Sequence, residues 1–476
     1  MVEYLTPGVY AESVGNANAP TSGVSASTGG FVGICARGVL NVPTLVTSWQ
    51  NFLDTFACGL ETPFLANSDL AYSVYGFFQN GGNRCYIIRT ASSKATKASG
   101  KVGTSTTLYA KDEGTWGNKL KVSIKANEDN ASTFDIVVKY NENIVESFVN
   151  VSSTPTDSNY YVDVLGDSEF IYGETGNLTV TSEDVAFAGG ADGIEDITDA
   201  EYKASLQLFD SVDDVNLICV PGQVSEEMVK SILKYAEDRG NVFAIVDGAK
   251  SADVATIKTF RKKLSCKNGA IYYPWIKVSD PLSKTGKLRD CPTCGHVMGV
   301  YARTIQERGI WKAPAGTEAT LRGAVDVVKL LVKTDCDTLN PVGVNAVMPR
   351  ANYGITVWGA RSLSPESSMK YVSDVLLNVN VKERIKNDTQ WAVFEPNNSV
   401  LWTRVQATVE SFLDSIWRAG GFAGNKANEA YFVKCDAELN TEESTKNGKL
   451  ICEVGYAPTK PAEFVVFRIS HSISNN

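Results

Sequence analysis

The fold is set by one stretch of sequence, Val215-Asn216-Leu217-Ile218-Cys219-Val220, an almost wholly apolar run. A short continuous apolar run of this kind is typical of a strand that is buried on both faces. Comparable runs lie at residues 242–246 and 270–275, and amphipathic stretches at residues 228–238 and 252–264 separate the three. Apolar strands that alternate with amphipathic helices predict a doubly wound α/β core domain, with a parallel sheet between two helical layers.

A second helical pattern lies at residues 400–417, where apolar side chains recur on one face of the predicted helix. These side chains are Leu401, Val405, Val409, Phe412, Leu413 and Ile416. Ser399 is expected to cap the start of this helix, and Gly420-Gly421 is expected to end it. The surrounding residues are read as an α+β C-terminal domain.

Between residues 92 and 190 the pattern changes to strict alternation of apolar and polar residues. Leu120, Val122 and Ile124 alternate with charged or hydroxyl residues, and Phe134, Ile136, Val138 and Tyr140 do the same. Alternation of period two is typical of strands with one face in water. These residues are expected to form an inserted, mostly β domain.

The chain is 476 residues long, which suggests about three domains at roughly 150 residues each. The expected divisions are an N-terminal arm and tether (1–27), the first part of the core (28–91), the inserted β-rich outer domain (92–190), the α/β core domain (191–350), the α+β C-terminal domain (351–457) and a C-terminal arm (458–476). Both arms are extended segments in this reading.

The two ends of the chain contain strand-like segments that do not belong to an obvious domain. Val9, Tyr10, Ala11 and Glu12 follow a Pro-Gly turn, and the small and polar residues 15–30 after them read as a flexible tether before a buried strand at residues 31–36. The last predicted strand, residues 462–469, is apolar on both faces and contains Phe464, Val465, Val466 and Phe467. A strand of that kind suits the middle of a sheet.

Composition excludes several classes of function. With 45 basic and 54 acidic side chains the formal net charge is -9, which argues against nucleic acid as a partner because phosphate binding needs a basic face. The N-terminus lacks the basic and apolar regions of a secretory signal, and no apolar stretch is long enough for a membrane anchor. The chain is therefore expected to be made in the cytoplasm, with its ten cysteines as reduced, mostly buried thiols.

A search for catalytic chemistry finds one weak cluster. No phosphate-binding glycine motif, nucleophile elbow or zinc-protease motif is present, so no cofactor is expected. Cys291, Cys294 and His296 could begin a zinc site, but a tetrahedral site needs a fourth ligand and no second Cys-x-x-Cys exists. The favoured interpretation is an ordinary loop without catalytic residues, and the alternative is an α/β enzyme that uses this Cys-x-x-Cys-x-His loop.

Several motifs, in order along the chain, resemble those of contractile tail sheath proteins, the family found in myophage tails and R-type bacteriocins. They are Tyr4 to Tyr10, Phe31-Val32-Gly33, Pro43 to Trp49, Phe77 to Tyr86, Trp116-Gly117-Asn118, Gly295-His296-Val297, Gly299 to Arg303, Arg308-Gly309, Lys312-Ala313-Pro314, Leu339-Asn340-Pro341, Val344-Asn345-Ala346, Trp358-Gly359-Ala360-Arg361, Thr389-Gln390-Trp391, Phe394 to Asn397 and the tail from Pro458 to Ile469. The family often has Pro and Ser where this chain has Cys291 to Cys294, which weakens the zinc interpretation.

The resemblance implies a structural subunit that stacks in hexameric rings around an inner tube and contracts to drive that tube through a target envelope. Its partners would be other copies of the chain, the inner tail tube protein, and baseplate and tail terminator proteins. Arm strands at Val9–Glu12 and Phe464–Phe467 would be exchanged between subunits, since an unpaired strand edge is satisfied by another chain. The particle, a phage tail or a tail-like assembly, would form in the bacterial cytoplasm.

Helix 400–417 is the candidate tube-facing element, through the charged residues Arg404, Glu410, Asp414 and Arg418. A solvated polar face explains the same residues equally well. A non-contracting structural component of the same particles is the second alternative for the whole chain.

Overall fold

The computed structural model describes residues 26–57, 62–103 and 106–464. Its strands, in chain order, are β1 (Gly29–Gly33), β2 (Thr44–Val46), β3 (Cys85–Arg89), β4 (Ser99–Val102), β5 (Thr106–Ala110), β6 (Leu120–Ala126), β7 (Phe134–Tyr140), β8 (Asn143–Val151), β9 (Ile171–Gly173), β10 (Val185–Ala186), β11 (Leu217–Cys219), β12 (Phe243–Asp247), β13 (Gly269–Tyr273), β14 (Ile276–Ser279), β15 (Leu288–Cys291), β16 (Ala324–Val327), β17 (Val344–Arg350), β18 (Gly354–Val357), β19 (Tyr431–Lys434) and β20 (Glu453–Tyr456). The helices are α1 (Trp49–Ala57), α2 (Leu70–Gln79), α3 (Tyr161–Val164), α4 (Asp199–Gln207), α5 (Glu226–Arg239), α6 (Val254–Arg261), α7 (Cys294–Arg308), α8 (Lys333–Leu339), α9 (Val372–Asp388), α10 (Ser399–Arg418), α11 (Ala427–Ala430) and α12 (Glu442–Lys446).

The central element is an eight-stranded sheet with the strand order β18-β17-β13-β12-β11-β1-β3-β2. Neighbouring strands from β3 through β17 run parallel, and the two edge strands, β2 and β18, are antiparallel to their neighbours. The chain builds outward from β1 first to β3 and later, in the other direction, through β11 to β17. This is the predicted doubly wound sheet, and the mixed α/β multidomain fold is confirmed.

Each central strand contributes to two hydrophobic cores, because successive side chains of a strand point to opposite faces. In β12, Phe243 and Ile245 belong to one core, whereas Ala244 and Val246 belong to the other. The first core contains side chains of α1, α2, α7, α9 and α10, and the second contains side chains of α4, α5, α6 and α8. The continuous apolar runs of the sequence therefore predicted these strands correctly.

The start of the sheet differs from the prediction. Gly29 and Gly30 belong to β1 rather than to a tether, and both are buried. A Cβ atom on Gly29 would lie 2.8 Å from the sulfur of Met298, and one on Gly30 would lie 3.0 Å from the ring of Phe209. Both positions need glycine because Met298 of α7 packs against one face of the strand and Phe209 packs against the other.

Residues between β3 and α4 form two small antiparallel sheets around a third core. The sheets have the orders β4-β5-β9 and β10-β6-β7-β8, and the two predicted alternating strands are confirmed as β6 and β7. Arg89, at the end of β3, is fully buried and joins this region to the main sheet. Its guanidinium donates hydrogen bonds to the carbonyl oxygens of Cys35, Gly38 and Glu113, at 3.0, 2.6 and 2.9 Å.

The C-terminal part combines α9, α10 and the antiparallel pair β19–β20. The six predicted apolar residues of α10 are all buried. The predicted cap was wrong, because Ser399 is the first residue of the helix and Asn398 caps it. The Asn398 side chain accepts hydrogen bonds from the backbone N–H groups of Val400 and Leu401, which an Asn at the N-cap does as well as a Ser.

Helices α2 and α7 pack at very short range because glycines line their contact. A Cβ atom on Gly295 would lie 2.4 Å from the carbonyl oxygen of Ser73, and one on Gly76 would lie 2.2 Å from the ring of His296. The Gly-His-Val and Gly-Val-Tyr motifs of α7 thus serve close helix packing.

We therefore expect Gly295→Ala to destabilise the protein by about 2 kcal/mol, because the added methyl group must push the backbone of α2 away. The measurement is the free energy of unfolding in denaturant. Gly166→Ala is the matched control, since nothing lies within 4 Å of a Cβ atom there and the backbone is not left-handed. Equal stability of the two variants would contradict this account of the α2–α7 contact.

Candidate functional site

The C-terminal segment 457–464, here called the C-terminal root, is fastened to the folded body by its backbone. The N–H of Ala457 donates to the carbonyl of Ala430 at 2.8 Å, and the carbonyl of Ala457 accepts from the N–H of Ala423 at 2.9 Å. The N–H of Thr459 donates to the carbonyl of Gly421 at 3.2 Å. The root therefore leaves the β19–β20 region along a defined path.

Glu463, near the end of the root, lies among donors from three parts of the chain. Its two carboxylate oxygens each lie 2.8 Å from a guanidinium nitrogen of Arg361, in a bidentate pair. Asn340 donates to the same carboxylate at 2.8 Å and Tyr371 at 3.1 Å, and the ammonium of Lys370 lies 3.5 Å away. The side chains of Glu463 and Arg361 are only 17% and 12% exposed, so this is a well-ordered, partly desolvated ion pair.

The carboxyl group of Glu463 is held in its charged form. Burial raises its pKa, but hydrogen bonds from Arg361, Asn340 and Tyr371, together with the positive charge of Arg361, outweigh burial and lower the pKa to about 2. The carboxylate is thus ionised at any pH at which the protein would be handled.

A second ion pair of opposite polarity holds the root three residues earlier. The ammonium of Lys460 lies 2.8 Å from a carboxylate oxygen of Asp374 and donates to the carbonyl of Ser368 at 3.1 Å. Asp374 is buried at the start of α9, and burial raises its pKa although Lys460 opposes that shift. A cation and an anion on the root, each opposite its counter-charge, fix the register of this segment.

Arg361 is itself positioned by the central sheet. The amide of Asn345, in β17, donates to the carbonyl of Arg361 at 2.8 Å and accepts from its N–H at 2.7 Å. A Cβ atom on Gly359 would lie 2.9 Å from the Asn345 side-chain oxygen, so the turn can approach only because it carries a glycine there. The motifs around Asn340, Asn345 and Arg361 therefore meet at the C-terminal root.

Phe464 follows the contacts of Lys460 and Glu463, here called the clamp, and is the last residue that the structure describes. Phe464 is 73% exposed, and residues 462–464 belong to no strand of the described chain. The other predicted arm residues, Val465, Val466 and Phe467 at one end and Val9 to Glu12 at the other, lie outside the described residues. Both predicted arm strands stay predictions.

The pair β19–β20 lies beside the root and forms a two-stranded sheet. Tyr431 to Lys434 pair with Tyr456 to Glu453, and within the described residues no third strand joins either side. The ring of Phe432 lies over Gly455 and is 52% exposed. A two-stranded sheet with free edges and an exposed aromatic ring is a template for the addition of a strand.

The four charged residues predicted to face a tube lie on the solvent side of α10, and each has a partner within the chain. Arg404 stacks over the ring of Trp391 at 4.3 Å, Glu410 accepts from Gln406 at 2.8 Å, and Asp414 pairs with Arg418 at 2.6 Å. The structure pairs Asp414 with Arg418, whereas Arg404 and Glu410 each have a different partner. Their contact with a tube stays a prediction.

Phe394, in the loop before α10, is the most unusual residue of this surface. It is 89% exposed, and its φ of 69° lies in the left-handed region. That conformation costs a bulky residue on the order of 1–3 kcal/mol, and strain of this kind often marks functional positions. Neither burial nor local geometry explains a phenylalanine here.

Cys291, Cys294 and His296 do not form the ordinary loop that the sequence suggested. Cys291 ends β15, Cys294 begins α7, and all three side chains are buried. Asp247 caps α7, accepting from the N–H groups of Thr293 and Cys294 at 3.0 and 3.2 Å. Burial raises the pKa of both thiols and lowers that of His296 to about 4.

No group of three or more His, Cys, Asp or Glu side chains in the described residues could hold a metal ion. In the same part of the chain, no helix is long and apolar enough to cross a membrane.

The charged residues that hold the C-terminal root, Lys460 and Glu463, were absent from the candidates predicted from the sequence, although Phe464 at its end was among them. Arg361, Asn340 and the segment with Lys460 and Glu463 each lie in a motif that carries the family resemblance, which was the available signal. The pairing itself was hidden, because Glu463 meets partners 102 and 123 residues away in the sequence.

Comparison with known proteins gives two adjoining family matches. Residues 195–363 match the model of the phage tail sheath protein central domain, and residues 364–472 match that of the phage tail sheath C-terminal domain. A putative prophage major tail sheath protein of Pseudomonas aeruginosa strain UCBPP-PA14 is 23% identical over 291 residues, which span 60% of this chain and 70% of that protein.

Solved structures share the fold over most of the chain. The helical sheath of the anti-feeding prophage in its contracted state is 22% identical, covers 99% of this chain and 100% of its own, and has a TM-score of 0.60. A sheath tail protein from Listeria innocua is 13% identical, covers 88% and 90%, and has a TM-score of 0.63.

We expect Glu463→Gln to lower the free energy of local opening of the C-terminal root by about 2 kcal/mol, because it removes a charge that accepts several hydrogen bonds. Hydrogen exchange of residues 457–464 should speed up while exchange in the central sheet is unchanged. Glu442→Gln is the matched control, since Glu442 is exposed and its carboxylate pairs with Lys446 on α12 and with no other cation among the described residues.

The sign of the pH dependence follows from the lowered pKa of Glu463. Folding favours the charged form of Glu463. Its contribution to the stability of the root is therefore complete above the unfolded pKa of about 4.3, and it is lost as the pH falls towards the folded pKa of about 2. The difference in the free energy of root opening between the native protein and Glu463→Gln should therefore be constant near neutral pH and vanish in strong acid. A difference that grows on acidification would contradict the clamp.

Proposed function

The chain belongs to the phage tail sheath protein family, and on that premise we propose that it is a contractile sheath subunit. In this proposal the subunits polymerise as stacked hexameric rings around an inner tube and contract to drive the tube through a target envelope. The observation that carries the proposal is the C-terminal root, a segment that two ion pairs hold in register and that ends at an exposed Phe464. A segment fixed in this way is suited to cross to a neighbouring subunit.

The acceptor for such a segment would be the β19–β20 pair. A two-stranded sheet is marginally stable alone, and added strands satisfy the free N–H and C=O groups at its edges. The N-terminal arm (Val9–Glu12) of one neighbour and the C-terminal arm (Phe464–Phe467) of another would supply these strands. Because each contact joins different surfaces of two subunits, repetition generates rings and helical stacks.

The proposed subunit divides into an outer insertion, a core, a C-terminal domain and two arms. We propose the limits 92–190 for an outer β-rich insertion, with 28–91 and 191–350 as the core, 351–457 as the C-terminal domain, and arms at 1–27 and 458–476. The sheets of the insertion share no strand with the central sheet among the described residues, which supports it as a separate unit.

The polar side of α10, with Arg404, Glu410, Asp414 and Arg418, is the proposed contact with the inner tube. Support comes from Phe394 in the preceding loop, because a partner would cover its exposed ring and because a left-handed backbone at a bulky residue is typical of functional positions. Contraction would be a change between two packings of rigid subunit cores, driven by interfaces that improve in the contracted lattice. Baseplate and tail terminator proteins would close the two ends, and assembly would take place in the bacterial cytoplasm.

Deletion of residues 1–14 should abolish polymerisation, because the acceptor sheet then lacks one of its strands. Negative-stain microscopy of the purified full-length chain should show striated tubes or short contracted cylinders, and the truncated chain should remain as single particles. An unchanged thermal midpoint of the truncated chain is the control for folding. Normal sheaths from the truncated chain would refute arm exchange, and uniformly uncontracted tubes would favour a non-contracting component.

Phe394→Gly should separate subunit stability from attachment to the tube. Glycine relieves the left-handed strain, so the subunit should be about 1 kcal/mol more stable. Loss of the ring should lower co-purification of the inner tube protein by about tenfold, the effect of about 1.4 kcal/mol of binding energy. Asn352→Gly is the matched control, since Asn352 is exposed with a φ of 68° but lies in the β17–β18 turn.

Unchanged tube binding by Phe394→Gly, or equal losses in the two variants, would refute this contact.

A further inference from the structure

Two cysteines lie opposite each other at the end of the β19–β20 pair. Lys434 pairs with Glu453 as the last partners of the ladder, so the same register places Cys435 opposite Cys452. Opposed residues of antiparallel strands have Cα atoms about 4.5 or 5.5 Å apart, and both values fall within the roughly 4.4–6.8 Å that disulfides span. Each thiol is the largest influence on the pKa of the other, as expected of neighbouring side chains.

The loop that follows Cys435 is fixed so as to keep the two thiols together. The amide of Asn440 donates to the carbonyl of Ile451 at 2.9 Å and accepts from its N–H at 2.6 Å, next to Cys452. The same amide nitrogen donates to the carbonyl of Asp436 at 3.1 Å. Asn440 is buried, so one side chain ties both ends of the 436–451 loop to each other.

The pair is also accessible and chemically suited to oxidation. Cys452 is only partly buried, whereas Cys435 is buried beside it. The neighbouring Cys452 thiol lowers the pKa of Cys435, whereas Cys435 and burial raise the pKa of Cys452. A small reagent reaches the partly exposed Cys452, and Cys435 lies beside it as the second thiol that can resolve a mixed disulfide.

We propose that Cys435 and Cys452 are a redox modification site that a low-molecular-weight disulfide, such as oxidised glutathione, converts to an intramolecular disulfide. One protein thiolate attacks the reagent, its S–S bond breaks, and one reagent thiol leaves. The second protein thiolate then attacks the mixed disulfide and expels the other reagent thiol. Two protons and two electrons pass from the two cysteines to the reagent, which is reduced to two thiols.

The redox state of this cysteine pair follows the redox potential of the compartment that surrounds the subunit. In a reducing cytoplasm the pair stays open, and in an oxidising medium outside the cell it closes. Closure joins the end of β19 to the start of β20 and so locks this sheet. Stabilisation of an assembled sheath by this bond rests on the proposed function, in which the same sheet accepts the arms of neighbours. Formation of the Cys435–Cys452 disulfide itself does not rest on that function.

The test uses the purified full-length subunit, incubated with oxidised glutathione, alkylated while folded and digested with trypsin. The expected product is peptide 435–446 linked to a peptide that begins at Leu450, with the loss of two free thiols. The thermal midpoint should rise in the oxidised protein and should not rise in Cys452→Ser after the same treatment. Since unpolymerised subunits suffice, failure of this test is distinct from failure of the proposed function.

A second pair of neighbouring cysteines provides an internal control. The Cys294 thiol also affects the pKa of Cys219, but both are fully enclosed in the core between the sheet and α7. Their thiols should stay reduced in the folded protein under the same conditions. The proposal is overturned if the 435–452 link does not form while the exposed part of Cys336 reacts, if the core pair oxidises equally fast, or if the link leaves the thermal midpoint unchanged.

Discussion

A parallel sheet that is apolar on both faces must be covered on both faces, and this constraint determines the rest of the fold. β11 and β12 contribute alternate side chains to two separate cores, so neither helical layer can be removed without exposing half of each strand. One layer is closed by α7, a helix whose first ten residues are all buried. The C-terminal helices α9 and α10 extend this same core, which attaches the C-terminal region to the sheet.

The polar clamp of the root depends on that attachment. Asn345 lies in β17 and sets the position of Arg361, and Tyr371 and Asp374 lie at the start of α9. These residues come from elements that meet only because the sheet and α9 share a core. The bidentate pair of Arg361 and Glu463 is thus a consequence of hydrophobic packing, and its geometry is specific because Arg presents a rigid fork to a carboxylate.

Sequence patterns predicted what is local or periodic. The strands around Leu217 and Phe243 follow from continuous apolar runs, and α10 follows from the spacing of residues such as Leu401 and Val405. The error at Ser399 is of a different kind, because Asn398 and Ser399 can both cap and only the backbone conformation decides. The clamp at Glu463 could not be predicted, since no periodicity links it to Asn340, although the motifs that contain both residues were recognised.

The division between an apolar core and a polar root would suit the proposed sheath subunit, in which neighbours would pull on the arms. Two ion pairs at the root, Lys460–Asp374 and Arg361–Glu463, contribute on the order of 1–3 kcal/mol each, whereas the continuous core contains dozens of buried side chains at roughly 1.5–3 kcal/mol apiece. Load on an arm therefore opens the root before it deforms the sheet. A polar root can also close again in one register, because its cation lies opposite Asp374 whereas its anion lies opposite Arg361 and Lys370, and these counter-charges differ in sign. In the proposed sheath, this ordering of strengths lets subunits move as rigid bodies while the strand contacts between them persist.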